Sequence, residues 1–225
     1  MEFRFFEIYR EETYVDLLIQ GIALSASLTI GAAIFGFLMA SLLAMMRISS
    51  IKPMVWFSAS YIEFVRNTPL IVQLFFVAFG LPLLLNYQWP FWAHALLALI
   101  LNFSAYFAEI IRAGMVNIQK SQIEGANALG LRKSIILLKI IFPQAIADMY
   151  PSLVGQFIFL FLTTGVISEI GVEDLTHAGI FIDSRTFRSF EVFITLTVFY
   201  ILLSMLFKLF LAKIFPILFP FKCNS

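Results

Sequence analysis

Charge, cysteine and histidine are all scarce in this chain. Charged residues make up 13% of its 225 residues, with 15 Lys and Arg against 14 Asp and Glu. The net charge of +1 by itself says nothing about nucleic acid, the distribution of the charges says more, and no nucleic-acid partner is expected. The single cysteine, Cys223, excludes an internal disulfide and reads as an inert thiol near the C-terminus. His94 and His177 stand alone, without metal-ligand spacing. There is no Gly-x-x-x-x-Gly-Lys-Ser/Thr loop to cradle phosphates, no His-Glu-x-x-His and no Gly-x-Ser-x-Gly. The chain therefore carries no motif of a covalent catalyst and cannot hydrolyse ATP by a Walker mechanism. Any ATP chemistry must come from a partner.

Apolar residues are abundant instead. They make up 61% of the chain, with 27 Phe and a mean hydropathy of +0.94, where soluble domains hold about 45–50%. The composition reads as an all-α polytopic membrane protein in one membrane domain, with Phe facing lipid and packing partners. Residues 1–13 mix Arg4 and Arg10 with Glu2, Glu7, Glu11 and Glu12, which does not fit a cleavable signal and suggests a short interfacial segment. Five spans are expected, at about 14–46, 54–85, 91–111, 149–168 and 192–214. Small residues along the first (Gly21, Ser25, Gly31, Gly36) suit close helix packing. The second apolar stretch runs about 48 Å as a helix against a hydrocarbon core of about 30 Å. It must tilt or break, and Arg66-Asn67-Thr68-Pro69 marks the expected irregularity. Residues 81–90 read as a loop. Pro143 and Pro151 are expected to split the fourth apolar stretch into an interfacial helix and a span. Residues 169–191 read as a polar loop, and 215–225 as a tail.

The cations choose an orientation. Arg47, Lys52, Arg112, Lys120, Arg132, Lys133, Lys139, Lys208, Lys213 and Lys222 fall on one side of such a topology. Arg4, Arg10, Arg185 and Arg188 fall on the other. The positive-inside rule makes the first side cytosolic, with the N-terminus outside and the C-terminus inside.

The stretch Ser121–Pro143 begins with a polar island that interrupts the apolar pattern. Ser121-Gln122-Ile123-Glu124 reads as a capping box opening a helix over 122–129. Gly130 stands where a left-handed residue ends it, and Leu131 follows as the apolar contact. Gly125, Ala126 and Ala128 would allow a close approach to whatever docks there. Glu124-Gly125-Ala126, Gly130, Ile140 and Pro143 fit the spacing of the EAA loop of ABC-importer membrane subunits, with Gly125 for an Ala and Phe142 for a Leu. Phe64–Leu74 resembles the F-R-G-T-P-L-L-V-Q-L stretch of polar amino-acid permeases of that class, with Asn67 in place of Gly. Asn102, Tyr106, Glu109 and Arg112 match their N-x-x-A-Y-x-x-E-x-x-R pattern. Leu162-Thr163-Thr164 stands where many members read K-D-T, so the Lys–Asp pair is absent. Residues 170–175 and 186–191 again resemble the subfamily and fall on the outer side.

The resemblance implies a permease subunit of an ATP-driven, binding-protein-dependent amino-acid importer of type I fold, in the bacterial inner membrane. Its transmembrane domain would cover 14–214, with a cytosolic coupling loop at 113–134. Ser121, Glu124, Gly125, Ala126, Ala128, Leu129, Gly130 and Pro143 would form the coupling element for an ABC ATPase subunit dimer, which would bind ATP and Mg. Glu63, Arg66, Asn67, Thr68, Asn102, Tyr106, Thr163 and Thr164 would line the substrate path. For Glu63 and Arg66, three residues apart, a structural ion pair at a kink is the other reading, and for Asn102 and Tyr106, four apart on one face, packing contacts are the other reading. Glu109 and Arg112 read as an interfacial pair. Further implied partners are an extracytoplasmic solute-binding protein, a second permease subunit and membrane lipid; no cofactor is expected in this chain. The competing class is a small secondary carrier or channel subunit that needs no ATPase.

Overall fold

A computed structural model describes residues 4–118 and 120–223, and no strand occurs among them. A short helix α1 (Phe6–Tyr9) precedes α2 (Glu12–Arg47). The α2 ends suit its dipole, with Glu12 in the first turn and Arg47 in the last. Helix α3 (Lys52–Arg66) opens with Pro53 in its first turn, where the missing N–H costs nothing. It stops at Asn67, and α4 (Leu70–Phe75) starts after Pro69. A π-wound turn, Phe76–Gly80, joins α4 to α5 (Leu81–Leu85). The break therefore falls where the polar run and Pro69 placed it. The expected loop at 81–90 is shorter, because 81–85 stay helical and left-handed Asn86 ends them.

Helix α6 (Phe91–Val116) runs five residues past the expected end of the third span. Helix α7 (Lys120–Ala128) follows, then α8 (Lys133–Ile135), a π-wound turn (Ile136–Ile141) and α9 (Phe142–Thr163). The expected split at Pro143 and Pro151 is not found: residues 133–170 continue as one run, closed by a 3-10 turn, Thr164–Ile170. Pro143 stands directly behind the π turn, whose wider winding moves the preceding carbonyls away from its ring. Pro151 sits inside α9, and in lipid a continued helix costs less than an open backbone. The expected polar loop 169–191 contains α10 (Leu175–Thr186), capped by the Asp174 side chain, which accepts from His177 N. Helix α11 (Ser189–Leu218) carries Pro216 inside it, and α12 (Pro220–Cys223) follows. Four of these helical runs are long and apolar enough to cross a membrane, and α3 with 70–85 makes a fifth if the bent pair is one span.

The chain divides into two compact units, residues 1–34, 68–100 and 157–209, and residues 35–67, 101–156 and 210–225. In the first, Ile8, Tyr14, Leu18, Leu175, Ile182, Val192 and Leu196 form a buried apolar core. There α2 passes so close to the start of α10 that a Cβ on Gly21 would lie 2.8 Å from the Asp174 carbonyl oxygen. In the second, Ser58 donates to Leu43 O (2.8 Å), and Tyr61 donates to Leu101 O (2.8 Å). Also there, α6 meets α9 so closely that a Cβ on Gly114 would lie 2.8 Å from Ala145 O.

Candidate coupling and translocation sites

Helix α7 is the polar island of the sequence, and its end follows from Gly130. Gly130 has φ +73°, in the left-handed region. Gly130 N donates to Asn127 O (2.9 Å) and Leu131 N to Ala126 O (3.2 Å), the paired bonds of a Schellman turn. The start differs from the expected capping box: the helix already includes Lys120, so Ser121 is its second residue and not the cap. The cap position, residue 119, lies outside the described residues. Ala126 is the residue by which α7 buries itself, at 5% exposure. Ser121, Glu124, Gly125, Ala128 and Gly130 are exposed, and Leu129 is 80% exposed. Nothing lies within 4 Å of a Cβ built on Gly125 or Gly130. A bond from Gln144 Nε2 to Gln122 Oε1 (2.8 Å) ties α7 to the start of α9, next to Pro143. The small residues thus divide: Ala126 seats the helix on its own chain, while Gly125 and Ala128 are left open.

Of the expected path residues, the second unit holds Glu63, Arg66, Asn67, Asn102 and Tyr106; the first holds Thr68, Thr163 and Thr164. The structure brings Arg66 and Tyr106 together, with the guanidinium carbon 5.5 Å from the ring centroid, in cation–π range. The Glu63–Arg66 pair of the alternative reading is not among the ion pairs of the described residues. Asn102 is buried one turn before Tyr106 on α6. Glu109 and Arg112 form the expected pair as a fork: Arg112 Nε donates to Glu109 Oε2 (2.9 Å), and Nη2 meets Oε1. At the helix break, Gln73 Nε2 donates to Thr68 O (3.1 Å) and Oγ1 (2.6 Å), meeting oxygens that the missing turn would leave bare. Thr163 and Thr164 turn their hydroxyls back on their own helix, to Leu160 O (2.8 Å) and Phe161 O (2.7 Å), and Thr164 is fully buried.

Sequence reasoning missed two polar sites. Tyr61, Ser104 and Leu101 O form a hydrogen-bonded knot between α3 and α6, with no motif to signal it. Asp174 is a buried helix cap, and the run Asp174-Leu175-Thr176-His177-Ala178 carried that signal: a capping residue before an apolar position. No group of three or more His, Cys, Asp or Glu placed to hold a metal ion occurs among the described residues.

Residues 32–218 match the family described as the binding-protein-dependent transport system inner membrane component. The chain belongs to that family, and so is a multi-pass protein of the bacterial inner membrane. Within it, the similarity falls among amino-acid permeases. The arginine transport system permease protein ArtQ of Bacillus subtilis is 34% identical over 79% of this chain and 81% of its own length. The probable glutamine ABC transporter permease protein GlnM of the same species is 34% identical over 88% of each chain. A crystal structure of an amino acid ABC transporter with histidines superposes with a TM-score of 0.84 at 35% identity, covering 95% of this chain and 98% of the other.

Proposed function

We propose that this chain is the permease subunit of an ATP-driven importer and forms, with a second permease subunit, the path for a polar amino acid such as glutamine, glutamate, histidine or arginine. An extracytoplasmic binding protein delivers the solute. A separate ATPase dimer binds ATP with Mg and drives the cycle by pressing on α7. The observation that carries this reading is the form of α7: a rigid foot closed by a Schellman turn, seated by Ala126, with Gly125, Ala128 and Leu129 open to a partner. An exposed Leu at the tip of a polar helix suits a docking contact.

The orientation we propose puts the N-terminus outside and the C-terminus and α7 in the cytosol. The charge distribution supports it: ten Lys and Arg fall on the side of α7 in this topology and four on the other, as the positive-inside rule requires of a cytosolic α7. ATP binding then closes the ATPase dimer, moves the paired feet and opens the path toward the binding protein; hydrolysis resets it. Five spans in one chain are few for enclosing a polar path, hence the second subunit.

Reconstitution tests this. Liposomes carrying the permease with its ATPase should accumulate a radiolabelled amino acid only with ATP and binding protein present. Uptake driven by an ion gradient without the ATPase would overturn the proposal.

A further inference from the structure

Asp174 is buried at 0% exposure, and no ion pair of the described residues includes it. Its Oδ1 caps α10 by accepting from His177 N at 2.8 Å. Its Oδ2 is buried and meets no hydrogen-bond partner. The groups packed around this cap come from three other segments. Helix α2 brings Gly21 against its carbonyl, and Ser25, whose Oγ accepts from Leu175 N (3.2 Å). Helix α11 brings Tyr200, whose hydroxyl shares a 2.8 Å bond with Thr176 and is faced by Thr164 and Ser25. The 3-10 turn brings Gly165, where a Cβ would lie 2.7 Å from Thr176 Oγ1. Tyr200 is the titratable group facing Asp174 from another element; Glu173 and His177 flank it on its own segment. None of the packed groups from α2, α11 or the 3-10 turn carries a positive charge.

A carboxylate in such a place costs heavily unless a cation or a proton neutralises it. We infer that Asp174 is a proton-binding site, occupied in this conformation, and that losing the proton loosens the junction of α2, α10 and α11. Burial pushes its carboxyl up to about 7, against N–H bonds from His177, Thr176 and its own backbone that hold it down. A conformation that wets Asp174 returns it to the ordinary carboxylate range. The buried conformation therefore has its full advantage at low pH and loses it as pH rises through 7. Between about pH 6 and about pH 8 the balance moves about tenfold. That this makes import pH-dependent rests on the transport reading above; the protonation itself does not.

Infrared difference spectroscopy of the purified chain in lipid nanodiscs reads the proton directly. A protonated-carboxyl carbonyl band should be present at about pH 6, disappear with a midpoint near 7, and be absent from Asp174→Asn. Asn keeps the helix cap, so that variant isolates the proton. Uptake into proteoliposomes should differ up to about tenfold between those external pH values in the wild type and be flat in Asp174→Asn. The inference is overturned if the wild-type band does not change between the two pH values, if Asp174→Asn retains it, or if adding sodium at about pH 6 abolishes the wild-type band. The wild-type titration needs no variant, so poor folding of Asp174→Asn leaves the test intact. A titrating band without any ATP-driven uptake supports the proton site and counts against the transport reading alone.

Discussion

Replacing Gly130 with Val separates the shape of the foot from the stability of the domain. The residue holds φ +73°, where an L side chain costs about 1–2 kcal/mol. Nothing lies within 4 Å of the position, so the substitution adds backbone strain and no clash. Against that strain stand the two turn bonds, Gly130 N to Asn127 O and Leu131 N to Ala126 O. Each contributes about 0.5–1.5 kcal/mol net, less where exposed to water. The terms are of the same size, so the turn opens for much of the time while the rest of the domain loses at most about 2 kcal/mol. A nine-residue helix without its end is marginal in water. Gly130→Val should therefore insert and co-purify with its ATPase, hydrolyse ATP, and import roughly tenfold less solute per ATP, since about 1.4 kcal/mol is a factor of ten. The control is Gly125→Ala, also in open space but inside the helix, where Ala gains about 1 kcal/mol of propensity. It should import at least as well as wild type. Normal coupling in Gly130→Val, or equal damage from Gly125→Ala, would refute the reasoning.

Gly114→Ala should lower the melting temperature in detergent by overpacking worth about 1–3 kcal/mol, because its Cβ would meet Met149 Cγ at 2.6 Å and Ala145 O at 2.8 Å. Adding Met149→Ala should restore only part of the loss, since the carbonyl cannot move aside. Tyr106→Phe should keep the stack under Arg66 and leave uptake near normal, whereas Tyr106→Leu removes about 0.5–1 kcal/mol and should reduce uptake as Arg66→Gln does. Thermal stability should fall as pH rises. Asp174 has a folded-state pKa of about 7 against 3.8 unfolded, so its contribution is complete below about 3.8 and lost through 7, up to about 4 kcal/mol in all. Melting curves of wild type and Asp174→Asn across that window check the slope, which should be present in the first and smaller in the second.

The long apolar helices, the break at Asn67–Pro69 and the end of α7 at Gly130 were legible because each rests on local chemistry. Apolar length, a proline and a single left-handed residue are written at their own positions. The continuity of residues 133–170 was not legible. Pro143 and Pro151 read locally as breaks, and the π winding that accommodates Pro143 has no sequence signature. Helix α10 was hidden because its polar residues resemble a loop, while its apolar face packs on residues far away in sequence, Tyr14 and Leu18. The alternative reading of Glu63 and Arg66 as an ion pair met a similar obstacle. Spacing of three permits it, but Tyr106, forty residues on, offers Arg66 an aromatic face. The exposure of Ala128 and Leu129 follows from packing rather than local pattern, since α7 buries Ala126 instead.

The most direct measurement is the sidedness of α7. With Cys223→Ser removing the native thiol, Ala128→Cys places one cysteine on the exposed foot. A membrane-impermeant maleimide should label it in inverted vesicles, fail to label it in intact cells, and be blocked when the ATPase is bound. Labelling from the outside of intact cells, or labelling undiminished by the assembled ATPase, would contradict the account.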